Sequence, residues 1–522
     1  MANRSDHRSI GSSMTPVPAL WPDAPTRPHG RTLRADRFLV LAVVVSTALR
    51  VPGLLATPSS DEAGFTLVAR SWSPTPDSLY GPYWVDRPPV LLAAYRWTDA
   101  LLGDQGPRLL AMVLSAVLVV AVHRLAGRLT TPGAARVATV VAVALLADPT
   151  LSAWTAKGEV LGTPLVALSW LLVVRALDSG SARLAVLAGL CAMTACGFKQ
   201  SLVGGLVFAA VLLGAALAGR RAPVERVLGV AARFALGAAV PLLLCAAWIA
   251  VTPATLAAGW YQVVGFRADA SAVLAASDSR APVERAHALL WLAVTCGMAP
   301  LAGLGLGSVR RWWSRWPAAS LALLATTLVD VGGVVVSGSY WHAYLVPLIP
   351  DVALLAGLAA TTAPRVRALT RFVAALTAAA SLSAYAGFAE ERLVSPTPSG
   401  PWQVGHAISL VAGRDDTIVS LYGNAELVEA SGLPSPYRHL WSLPMRTLDP
   451  DQDELRSVLA GPSAPTWVVA VLPLDSWHID SSRRLRDLLM RRYRLIVPRC
   501  GPLIWVRVDV VRTRPTLDCR NG

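Results

Sequence analysis

Two short fragments carry the residues best suited to chemistry, and both follow the first strongly apolar stretch. Asp61-Glu62-Ala63-Gly64-Phe65 sets two carboxylates side by side, and Tyr83-Trp84-Val85-Asp86-Arg87-Pro88-Pro89 adds an acid–arginine pair ahead of two prolines. Charged groups beside a bilayer are costly to desolvate, so they are kept for water or for a purpose. A carboxylate within reach of a hydroxyl takes its proton, and an arginine fork or a lysine ammonium holds a phosphate oxygen. These residue types suit an anionic, lipid-carried substrate at the bilayer edge. Asp61 is the candidate catalytic base. Of the 47 Lys and Arg residues only two are lysines, Lys157 and Lys199. A lone lysine at the end of an apolar stretch snorkels to the interface. Two of them, in a chain that otherwise uses arginine, point to phosphate binding; Arg87 either joins them there or forms an ordinary local charge pair with Asp86 ahead of the prolines.

Glu159, in Ala156-Lys157-Gly158-Glu159, is the second catalytic candidate; it binds sugar hydroxyls, positions the lysine or begins a helix. Adjacent helical side chains diverge by about 100°, so Asp61 and Glu62 face different ways. After Ser59 and Ser60, Glu62 suits a helix start, and it also joins Tyr83, Asp86, His342 and Tyr344 as a substrate-binding candidate. An aromatic belt accounts for Trp341 in Tyr340-Trp341-His342-Ala343-Tyr344, while His342 and Tyr344 have groups that hydrogen-bond a head group. No His/Cys grouping has metal-ligand spacing and no Gly-x-Ser-x-Gly elbow occurs. No cofactor is expected, and a divalent metal stays open.

The elements that position these residues are membrane helices. The 522-residue chain is 54% hydrophobic and 15% charged, with mean hydropathy +0.49, where a soluble domain carries about 25% charged residues. Apolar stretches recur at 38–56, 109–126, 161–177, 202–217, 234–251, 288–306, 318–336, 343–360 and 372–388, each near the roughly 17–25 residues needed to span the hydrocarbon. Two shorter ones, 137–147 and 184–196, are required by the alternation of charge. About eleven spans then place every arginine cluster (Arg27–Arg37, Arg124–Arg136, Arg175–Arg183, Arg220–Arg226, Arg310–Arg315 and Arg365–Arg371) on the cytoplasmic side. Segments 57–107, 148–160, 197–201, 252–287 and 337–342, with everything after 388, fall outside. The net charge of +14 is thus a topology signal, and a nucleic-acid partner is excluded because the basic residues do not share one soluble face. The first stretch is not read as a cleaved signal peptide, since its polar leader is long and no small-residue cleavage site follows.

Residues 1–37 form an Arg-, Pro- and Ser-rich disordered cytoplasmic tail, 38–390 the membrane domain, and 391–522 a small extracytoplasmic α/β domain. Segment 57–107 is too long for a simple connector. Helical spacing over 61–72, and prolines at the first turn of 89–102, predict two interfacial helices within it. Segment 252–287 carries Trp260, Tyr261 and Arg267. After residue 400, strands are expected at 417–421, 467–472 and 503–508, and helices at 425–431, 453–460 and 481–492, an α/β layer pattern without a nucleotide fingerprint. Cys191, Cys196, Cys245 and Cys296 read as apolar filler. Cys500 and Cys519, in the exported domain, are placed where a disulfide forms.

An Asp-Glu pair in the first outer loop, then a basic residue before Pro-Pro, a long series of spans and a Tyr-rich outer turn together resemble the GT-C glycosyltransferases. The pattern is similar to the protein-mannosyltransferase and lipid A aminoarabinose-transferase-like group, family 39-like, over roughly residues 50–350. The resemblance implies a polyprenyl-phosphate sugar donor and a glycan, lipid or protein acceptor. It puts Asp61 in the place of the catalytic acid, Arg87 of the phosphate-contacting base, Glu159 of an Asp of the second outer loop, and Lys199 of a basic residue after the fifth span. Gly64 and Phe65 depart from the Arg or Tyr that many relatives carry there. The expectation is an inverting glycosyltransferase at the outer membrane face. Its rivals are a lipid or glycolipid transporter or flippase, and a non-catalytic envelope-assembly protein on a degenerate GT-C fold.

Overall fold

The computed structural model describes residues 36–220, 222–276, 280–394, 398–496 and 501–517. Each of the eleven apolar stretches is helical. Among the described residues, seven helical segments are long and apolar enough to cross a membrane: Arg37–Leu54, Pro89–Leu129, Gly158–Ser179, Val224–Ala250, Pro317–Val336, His342–Ala359 and Pro364–Leu393. Ala281–Thr295 and Met298–Gly307 make an eighth when taken as one span, bent by 67°. The bend falls at Gly297, whose φ of +83° suits glycine. Pro132–Ala147, Ala182–Phe198 and Gly204–Ala218 are shorter apolar helices. The chain is a polytopic helical membrane protein.

Local sequence sets the helix ends. Asp36, Thr131 and Ser181 accept from the free backbone N–H groups of the helices that follow them, and Gly180 closes Gly158–Ser179 in the left-handed conformation. Small residues set the packing. A Cβ on Gly189 would stand 1.9 Å from the carbonyl oxygen of Phe234, and one on Gly237 equally close to that of Val186. Helices Ala182–Phe198 and Val224–Ala250 therefore meet backbone to backbone, the small-residue mode by which helices associate where burial in water gives no drive.

The long segment after the first span holds the two expected helices, Ser60–Arg70 and Pro89–Leu102, joined by the edge-on contact of Phe65 with Tyr95 at 5.5 Å. Residues 252–276 hold more regular structure than their sequence foretold: Leu256–Trp260, a π turn Tyr261–Gly265 and Phe266–Ala275 follow in series. Buried Gln262 ties this series to the first loop, accepting from Leu79 N–H at 2.9 Å and donating to Val85 O at 2.7 Å.

The C-terminal domain is a four-stranded sheet, β1 (Ile418–Leu421), β2 (Trp467–Ala470), β3 (Tyr493–Ile496) and β4 (Leu503–Arg507), in the order β1-β2-β4-β3. Only β1 and β2 run parallel, with Ile418 opposite Trp467; β4 is antiparallel to both neighbours. β3 was not expected. It is a short edge strand on which Arg494 and Leu495 are exposed, so it lacks the apolar run that marks the others. Helices Ala425–Ser431 and Asp453–Ala460 keep their expected bounds, and the third starts late, at Arg484. Gly400–Ser409 and Ser442–Leu448 are further helices. The tail up to residue 35, Cys500 and Cys519 lie outside the described residues. The other four cysteines are free.

Candidate active site

Helix Ser60–Arg70 sorts the two carboxylates by where each must point. Ser59 and Glu62 cap one another: the Glu62 carboxylate accepts from Ser59 N–H at 3.0 Å, and Glu62 N–H donates to Ser59 Oγ at 3.4 Å. Buried Arg108 donates to the same carboxylate at 2.9 and 2.8 Å, and Ala156 N–H at 2.9 Å. Burial pushes this carboxyl up, but Arg108 and the hydrogen bonds bring it down to about 2. Glu62 is thus the bolt between the helix start, Arg108 and the segment leading to Lys157.

Asp61 turns the other way, into a cavity of about 370 Å³. Its Oδ2 lies 3.0 Å from Lys157 Nζ, and its Oδ1 accepts from Trp441 Nε1 at 3.1 Å. Burial would raise its pKa, yet Lys157 and Arg87, then the two hydrogen bonds, hold it at about 2, so the group is ionised at neutral pH. Arg87 donates to Asp86 Oδ1 at 2.7 Å and lies 5.7 Å over the Phe65 ring. Arg267, on helix Phe266–Ala275, pairs with the other oxygen of Asp86. Burial raises the Asp86 carboxyl, and Arg87 and Arg267 bring it below its ordinary value. Glu159, in the first turn of Gly158–Ser179, forms a buried ion pair with Lys199, whose ammonium also lies 4.0 Å from the Tyr344 ring centre. Gly158 permits this pairing, because a Cβ there would meet Phe198 O at 2.6 Å.

Of the expected site residues, Asp61, Asp86, Arg87, Lys157, Glu159 and Tyr344 line the cavity, and Lys199 stands behind Glu159. Three more do not line it. Glu62 is engaged by Arg108, and His342 is exposed at the start of its turn. Tyr83 is buried with its hydroxyl accepting from Ser435 N–H at 2.9 Å. The sequence reading missed the far wall, which the C-terminal domain supplies: Trp441, and Tyr422-Gly423-Asn424, all three with positive φ (68°, 117° and 67°). Such backbone strain gathers at functional sites. Nothing local in the sequence marks Trp441; only the space at Gly64 is a trace of it, since a Cβ there would stand 2.2 Å from the indole. A larger groove of about 610 Å³ runs beside Pro89, Trp97, Leu244 and Trp248, but it is apolar and holds one charged residue, Arg96. Among the described residues no three His, Cys, Asp or Glu side chains are grouped to hold a metal.

No protein-family model and no curated protein matches the chain. Solved structures do. ArnT from Cupriavidus metallidurans aligns at 14% identity over 91% of this chain and 98% of its own, with TM-scores of 0.59 in the apo state and 0.57 bound to undecaprenyl phosphate. The apo Archaeoglobus fulgidus oligosaccharyltransferase aligns at 12% identity over 92% of this chain and 75% of its own, with TM-score 0.52. At such identities the likeness speaks for architecture alone, and over nine-tenths of its length the chain has the fold of the GT-C glycosyltransferases.

Proposed function

We propose that the protein is an inverting glycosyltransferase that moves a sugar from a polyprenyl-phosphate donor to an acceptor hydroxyl at the outer face of the membrane. One observation carries the reading. A single cavity sets an ionised carboxylate, Asp61, among the cations Arg87, Lys157 and Arg267, with Lys199 one residue behind. Asp61 takes the acceptor proton as the acceptor oxygen bonds the anomeric carbon from the face opposite the phosphate. The bond from that carbon to the phosphate oxygen breaks, and the electron pair leaves with the phosphate. Cations fixed in place before the reaction stabilise that charge most where water is excluded. Arg87 and Arg267 share one carboxylate and so retain positive charge for the phosphate, while Lys157 and Lys199 add point charges. Glu159 orients the sugar or the acceptor. The alternation of arginine clusters supports an outer location for this end of the bundle, where lipid-phosphate sugars, not nucleotide sugars, are the available donors. The architecture shared with ArnT, which has been seen with undecaprenyl phosphate, supports the donor class.

The experiment is mass spectrometry of lipid-linked sugars and envelope glycans in a deletion strain. A polyprenyl-phosphate sugar should accumulate while one sugar vanishes from an envelope lipid, glycan or protein; unchanged profiles would refute the reading. A transport function has one observation in its favour: the buried carboxyls of Asp330 and Asp351 lie inside the spans Pro317–Val336 and His342–Ala359, a place where transporters keep ionisable groups. Transport predicts that Asp330→Asn abolishes the cellular function, whereas transfer by Asp61 predicts that it survives.

A further inference from the structure

Trp441 stands in extended backbone just before helix Ser442–Leu448, and its approach to Asp61 is built from both sides. On the membrane side the indole covers position 64: a Cβ on Gly64 would lie 2.2 Å from Cζ2 and 2.6 Å from Cη2. The Phe65 ring lies 5.7 Å from that of Trp441. On the C-terminal side, three backbone ties fix the register. Ala425 N–H donates to Ser60 Oγ at 3.2 Å, Ser435 N–H to Tyr83 Oη at 2.9 Å, and Trp84 N–H to Arg438 O at 3.0 Å. The departure at Gly64 therefore has a physical meaning: it is the slot for an indole from another domain.

We propose that Trp441 is a positioning residue for Asp61, its indole N–H fixing one carboxylate oxygen while Lys157 fixes the other, so that the reactive carboxylate is completed only when the C-terminal domain is docked. The inference rests on the reading of Asp61 as the base. A carboxylate has about four lone-pair sites, and a group held within narrow limits by its neighbours is far more effective than one free to turn. A neutral donor suits the task, because it orients the oxygen without adding a second positive charge. Burial, Lys157 and Arg87 dominate the acidity of Asp61, with Trp441 lowering it further; Asp86 from the loop and Glu426 from the C-terminal domain face it with like charge. Removing the indole N–H leaves all of those charges in place and should make Asp61 easier to protonate.

The test uses the full-length protein and needs no sugar. A water-soluble carbodiimide with an amine modifies protonated carboxyls, and fragment mass spectrometry resolves Asp61 from Glu62 across a pH series. Trp441→Phe keeps the ring and removes the donor, so the Asp61 labelling midpoint should move to higher pH, with labelling at fixed pH rising about ten-fold per unit. Gly64→Ala displaces the indole and should shift Asp61 in the same direction. Glu62, held by Arg108, should not move in either variant. Unchanged Asp61 labelling in both variants overturns the proposal. So does an equal rise at Asp61 and Glu62, which would mean general loosening. An inactive Asp61→Asn protein beside unchanged Trp441→Phe labelling would remove only the role of Trp441. An active Asp61→Asn protein would remove the base reading, and the positioning role with it.

Discussion

Lys157 and Lys199 are not free cations awaiting a ligand: each ammonium already faces a carboxylate, Asp61 for one and Glu159 for the other. A phosphate arriving between them would compete with those carboxylates for the same protons, and the two lysines differ in what that competition exposes. At Lys157 the partner is partly exposed, whereas the Lys199–Glu159 pair is buried. Binding of undecaprenyl phosphate, used as the probe, should fall in the order wild type, Lys→Arg, Lys→Met at both positions. The larger loss should come at Lys199, on the order of 1.5–3 kcal/mol for a charge-assisted bond. Equal affinities across the series would reduce the lysines to interfacial anchors. Lys199→Met should also destabilise the fold by roughly 3–5 kcal/mol, because it strands a buried charge. Adding Glu159→Gln should restore most of that, as thermal unfolding would show. At this scale the sequence was legible where charge met apolar surroundings, which is why Asp61, Arg87 and both lysines stood out. It was silent on Glu62's partner, because Arg108 lies in the span-length segment Pro89–Leu129 and forms its pair only once the helices pack.

Helices were the most legible elements, since apolar length and proline or cap residues fix them locally; Pro89–Leu102 and Ala425–Ser431 have the bounds the sequence suggested. Elements whose order comes from tertiary ties were not legible. Tyr261–Gly265 and its flanking helices depend on Gln262 bridging to Leu79 and Val85, so polar loop residues conceal an ordered support for Arg267. Helix crossings belong to the same class. Gly189 and Gly237 read simply as glycines in apolar runs, yet each touches a carbonyl oxygen of the facing helix. Gly237→Ala should therefore cost about 1–3 kcal/mol by overpacking. Gly303→Ala, where a Cβ meets nothing within 4 Å, should be neutral or mildly stabilising. A thermal unfolding comparison of the two variants checks this, and equal stabilities would mean that the crossing is loose.

For the whole molecule, the finding that changes the picture is the joining of two domains at one cavity. Composition separates them cleanly near residue 400, and that separation hides the docking. The interface carries its own pH dependence. Burial, opposed by Arg70 at 4.0 Å, raises the Glu429 carboxyl from 4.5 to about 7. A carboxyl raised on docking contributes stability that is complete below its ordinary value and is lost as pH rises through the docked value. Hydrogen exchange over Ala425–Ser431, corrected for its intrinsic rate, should therefore speed up between about pH 5 and about pH 8. Glu429→Gln should flatten that dependence; the same slope in the variant would assign it elsewhere. Topology is tested separately: reporters fused at Arg128 and at Gly400 should lie on opposite sides of the membrane, and reports from the same side would take the cavity off the outer face. The central claim, that Asp61 is the base of a sugar transfer, meets its most direct test in the deletion strain complemented with Asp61→Asn. An amide keeps the shape but cannot accept the proton, a loss of about 10²–10⁴ in rate. With Asp61 as the base, this variant is produced at the wild-type level, binds undecaprenyl phosphate, and still accumulates the lipid-linked sugar seen in the deletion strain. A wild-type profile of lipid-linked sugars and envelope glycans in that strain would contradict it.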